Sequence, residues 1–172
     1  MEGFYFILRW FHFLAGITWI GLLYYFNFVQ VPALADAAGD DGGPGGAGIT
    51  KYVAPRALWW FRWAALLTWL TGAAFLLHRG QLDDAFALGM AGDVPNAYAT
   101  TIGIGAWLGT FMLFNVWVLI WPNQKKILGM VEASADEIAK ARKVAFIASR
   151  SNTLMSIPLV MSMVGAGHGF FM

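Results

Sequence analysis

Four long apolar runs, separated by polar or glycine-rich stretches, organise this chain; they cover residues 4–31, 57–78, 100–121 and 150–171. Each is long enough as a helix to cross about 30 Å of hydrocarbon. So few segments cannot close a barrel, and an open sheet edge in lipid would leave backbone groups unpaired. The pattern therefore predicts an all-α fold, an integral membrane four-helix bundle making one domain over residues 1–172. Pro32 and Pro122 stand where the first and third runs stop and are expected to close those helices.

The connections differ in kind. The first, "ADAAGDDGGPGGAGITKYVAPR", is rich in glycine and acid and reads as flexible. The second, residues 79–99, carries Asp83, Asp84 and Asp93. In the third, "SADEIAKARK" places Ser134 and Glu137 at capping-box spacing and Asp136 four residues before Lys140. An amphipathic helix over about 135–149 is expected to lead into span four. The triplet "ALA" at 33–35 resembles a leader cleavage site, but the apolar run before it is far longer than a leader core and lacks a basic start. It reads as a membrane span.

Basic residues set the expected orientation. Lys125, Lys126, Lys140, Arg142, Lys143 and Arg150 cluster in the third connection, Lys51 and Arg56 lie in the first, and the second has Arg79. The side richer in Lys and Arg is the cytoplasmic one. Both termini are then periplasmic, in a bacterial inner membrane. Composition supports the membrane reading: 12% of residues are charged, about half the usual share of a soluble domain. A net charge of +1 provides no basic field for nucleic acid. The absence of cysteine excludes disulfides, iron–sulfur clusters, thiolate zinc sites and c-type haem attachment by this sequence.

This orientation sorts the polar residues into two layers. His12 lies about 12 Å below Phe4 in the outer half, and His78 and His168 fall at the same side. Near the inner side lie Asn27, Arg62, Asn115 and Asn152. A charge within a span usually faces the bundle interior with partners, so Arg62 is expected to bond Asn27 or Asn115. Trp59, Trp60, Trp63 and Trp121 read as an interfacial belt, and Gly105 and Gly109 as a close-packing face.

The stretch "RWFHFLAGITWIG" carries the candidate chemistry. His12, Ala15, Gly16 and Trp19 share one helical face. Imidazole is an ordinary axial ligand for haem iron. Gly16, one turn on, would let a macrocycle approach, and Arg9, one turn outward, would neutralise a propionate. These residues predict a haem b site on His12, with His78 or His168 as second ligand. The alternative is copper or another metal ion on His12, His78 and His168 with Met161 or Met163, because thioether and imidazole suit copper. The bland alternatives are a packed histidine, interfacial histidines at the span ends, a snorkelling Arg62 and amides that merely join helices.

The strings "RWFHFLAGITWIGLLYYFNFVQVP", "APRALWWFRWAALLTWLTG", "FNVWVLIWPNQKKILG" and "RSNTLMSIPLVMSM" resemble the membrane domain of the membrane-bound, cytochrome-c-linked urate oxidase family. "HFLAGITWIG" is also similar to first helices of small haem-binding membrane proteins. Against the family's pattern this sequence is half-length in its membrane part and has no CxxCH. The resemblance implies a membrane oxidase passing electrons from urate to a cytochrome c domain; without CxxCH, the expected partner here is a separate periplasmic cytochrome c. Three functions are expected in order: a haem-b electron-transfer protein, a non-catalytic subunit of a larger respiratory or photosynthetic complex, and a urate oxidase using a separate cytochrome. The first two imply a homo-oligomer or a place in a larger membrane assembly.

Overall fold

The computed structural model describes residues 2–169. Among them there is no strand, and four helices are long and apolar enough to cross a membrane: Gly3–Gly39, Ile49–His78, Ala97–Ile127 and Ala135–Gly165. The first comprises α1 (Glu2–Tyr24), a π-helical turn (Tyr25–Gln30) and α2 (Val31–Gly39). The second comprises a π-helical turn (Ile49–Val53) and α3 (Ala54–His78). A short α4 (Leu82–Phe86) precedes the third, which runs through α5 (Ala97–Phe114), a π-helical turn (Asn115–Ile120) and α6 (Trp121–Ile127). The fourth is α7 (Ala135–Gly165). The last part of the expected fourth span, residues 170–171, lies outside the described residues.

The expectation that Pro32 and Pro122 end their helices is wrong. A proline inside a helix lacks an N–H and presses its ring on the carbonyl four residues back. At Pro32, Pro55 and Pro122 the proline follows a widened turn, whereas Pro158 sits inside α7 without one. The residue just before each of the first three donates its N–H five residues back: Val31 to Phe26 O, Ala54 to Ile49 O and Trp121 to Val116 O. The π-turn absorbs the misfit at Pro32, Pro55 and Pro122, and the helix continues. The expected long first loop shrinks accordingly, leaving residues 40–46 outside helix.

Helix starts follow local chemistry. The Asn96 side chain accepts from Ala99 N at 3.1 Å and opens α5. The Ser134 hydroxyl accepts from Glu137 N while Glu137 accepts from Ser134 N, the capping box read from the sequence. Glu137 also pairs with Lys126 of α6 at 3.3 Å.

Two hairpins make the bundle. In one, α1 packs on α3; in the other, α5 packs on α7. Trp19, Leu23, Leu58, Phe61, Ala65, Met112, Val116 and Leu159 form the shared core. The buried stripe of α7 is mostly small: Ala141, Ala145, Ala148, Asn152, Ser156, Leu159 and Ser162. Small residues let helices approach where lipid supplies no hydrophobic drive for association. Gly105 answers this stripe as expected, since a Cβ there would lie 2.8 Å from Met163 Cε and 3.3 Å from Ser162 Cβ. At Gly103 a Cβ would run into the carbonyl oxygen of Ala85, so α4 docks against backbone. Phe6, Phe13, Ile17, Leu77, Leu154 and Val164 are exposed, as a lipid-facing shell requires.

Candidate functional site

The bundle carries polar side chains at two levels. At the end that holds the start of α1 and the end of α3, His12 sits in the α1–α3 seam, half-buried. Its Nδ1 lies 2.8 Å from the Thr68 carbonyl oxygen and 3.5 Å from Thr71 Oγ1. A carbonyl only accepts, so Nδ1 carries the proton and Nε2 keeps its lone pair. Nε2 has no hydrogen-bond partner among the described residues. Gly72 makes room for the ring: a Cβ there would stand 2.9 Å from Cε1 and 3.1 Å from Nδ1. Thr68, Thr71 and Gly72 were not picked out in the sequence; they share one face of α3, which could have flagged them.

Gly16 lies on the α3-facing side of α1 with His12, and a Cβ there would meet Thr68 Cγ2 at 3.8 Å, an ordinary contact. Arg9 is exposed and turns to Phe75, its Cζ 6.0 Å from that ring and 6.0 Å from Phe13. His78 ends α3 with its ring 4.4 Å from Tyr5 and 5.4 Å from Phe4. Tyr5 OH donates to the His78 carbonyl at 3.2 Å. His168 is exposed in the turn after α7. Met161 is exposed, and Met163 packs against the Gly105 position. Among the described residues no group of three His, Cys, Asp or Glu side chains is placed to hold a metal ion.

At the other level, both asparagines sit in π-turns and both reach α7. Asn27 Nδ2 donates to Ser149 Oγ at 2.8 Å and to Leu23 O at 2.8 Å. Asn115 Nδ2 donates to Asn152 Oδ1 at 2.8 Å, and Asn152 Nδ2 donates to Met112 O at 3.0 Å. Ser149 and Asn152 are one turn apart, so α7 is fastened to α1 and α5 at neighbouring heights. Tyr24 adds a third link to Ser156 at 3.0 Å. Ser149 and Ser156 were missed because a serine in a span usually returns its hydroxyl to its own helix.

The expected bond from Arg62 to Asn27 or Asn115 does not form. Both amides are committed to α7, and the guanidinium lies on the Trp121 ring, its Cζ 3.7 Å from the centroid. Its Nε and Nη1 are buried with no partner among the described residues. Trp121, assigned to the interfacial belt, is thus a platform for Arg62, with Lys125 Nζ 5.9 Å from the same ring.

No curated protein and no solved structure matches this chain. One family does, under the description "urate oxidase N-terminal", over residues 85–172. The matched half contains α5 to α7 with Asn115 and Asn152, while α1 with His12 lies outside it. A match over this half of the sequence is enough to place the protein: it belongs to the urate oxidase N-terminal family.

Proposed function

We propose that the protein is a membrane electron-transfer member of its family, with His12 as an axial ligand to haem b. The observation that supports this is the His12 ring itself. A bond from Nδ1 to a main-chain carbonyl fixes the tautomer and leaves Nε2 as the ligating atom, the usual arrangement of a metal-bound histidine. When bound, haem supplies a one-electron carrier. Thr68 orients the imidazole and Gly72 leaves its ring space.

The donor set fits one axial position. His78 lies about two turns along the seam with its ring tilted 46° to that of Tyr5, and His168 lies in the turn after α7 on the other hairpin. A second ligand would come from one of these, from a second copy of the chain or from another membrane subunit. On the reading that the Lys- and Arg-rich third connection is cytoplasmic, His12 faces the periplasmic side of a bacterial inner membrane, where a periplasmic cytochrome c would be its partner. Urate oxidation through a separate cytochrome is the extension of this reading that the family description supports.

One observation favours the non-catalytic subunit instead: the Thr68 bond and the Gly72 gap account for the position of His12 as a packed side chain. Absorbance of protein purified from haem-replete membranes separates the two. The electron-transfer reading requires a Soret band that His12→Ala removes and that Gly72→Val, which displaces the ring, weakens. A wild-type protein free of haem leaves the subunit reading standing.

A further inference from the structure

Above His12, the same seam opens into a cleft of about 490 Å³ lined by Tyr5, Arg9, Phe75, His78 and Arg79. Two guanidiniums flank one ring there: Arg9 Cζ is 6.0 Å and Arg79 Cζ 5.6 Å from the Phe75 centroid. Neither has an ion pair among the described residues. Asp84 of α4 is engaged within its own loop, accepting from Ala91 N and Asn96 Nδ2. Carbonyls at the end of α3 are also occupied: Phe75 O by Arg79 N, Leu76 O by Gln81 N, Leu77 O by Gly80 N and His78 O by Tyr5 OH. The cleft therefore presents two uncompensated positive charges, with the negative end of the helix blunted.

We propose that this cleft binds the phosphate of an anionic phospholipid. Arginine forks match phosphate oxygens, and Tyr5 and Phe75 wall the headgroup on the apolar side. The acyl chains have a track: Phe13 and Ile17 continue the stripe of Arg9 down α1 and are 56% and 71% exposed. A soluble phosphate would use the arginines but not this track, which is why the lipid is the occupant. The site is independent of haem at His12.

The test is the thermal midpoint of delipidated protein in detergent after addition of phosphatidylglycerol, phosphatidylcholine or inorganic phosphate. Phosphatidylglycerol is expected to raise it by about 3 °C, with little effect from the other two. In mixed nanodiscs, native mass spectrometry should find phosphatidylglycerol retained roughly tenfold over phosphatidylcholine. The pair Arg9→Gln/Arg79→Gln should abolish both preferences, whereas Lys51→Gln, at the opposite end of the bundle, should leave them. If the pair does not fold, Arg79→Gln alone must reduce the preference. Equal responses to the two lipids, or a preference that survives loss of the arginines, overturns the proposal. A response to inorganic phosphate equal to that of phosphatidylglycerol overturns the lipid and leaves a soluble anion.

Discussion

Asn152 is fully buried and holds two partners at once, so its replacement has a calculable cost. Asn152→Leu keeps the number and branching of the side-chain heavy atoms and removes both bonds. Hydrogen bonds between helices in a membrane contribute about 0.6 kcal/mol each on average. The larger loss comes from Asn115, which is half-buried and whose Nδ2 is left without its acceptor; an orphaned buried amide costs roughly 1–3 kcal/mol, and a half-buried one falls toward the lower end. The single variant should therefore lose about 2–3 kcal/mol of stability. Adding Asn115→Leu removes the orphan, and the double variant should recover about half of that loss. Reversible unfolding in mixed micelles, with all four members of the cycle, measures both quantities. A single-variant loss below about 0.5 kcal/mol, or strictly additive losses, would refute the reasoning, because the amide pair would then be replaceable by lipid or by its own helix.

Gly103→Ala places a methyl against the Ala85 carbonyl, and backbone cannot rotate away as a side chain can. It should cost at least about 2 kcal/mol and release α4, seen as a lower thermal midpoint with faster proteolysis between residues 79 and 96. For topology, a reporter fused after Met172 should be active only in its exported form; strong cytoplasmic activity would reverse the two polar levels and move His12 to the cytoplasmic side.

The sequence alone determined the class of fold. Apolar runs of this length admit only helices in lipid, and Ser134 with Glu137 marked the start of α7 through bonds between near neighbours. It also marked the polar residues within the spans, because His12, Arg62, Asn27, Asn115 and Asn152 stand out against an apolar background whatever they touch. Their partners were decided by tertiary structure. Depth along a helix axis can be counted from the sequence, but the direction of a side chain around that axis depends on how the helices are rotated against one another. Equal depth suggested that Arg62 meets the asparagines; rotation gives Arg62 to Trp121 and both asparagines to α7. The prolines show the same division. Pro32 and Pro122 are local signals to stop, yet one widened turn before each lets the helix run on, and packing against α7 repays the poorer local geometry.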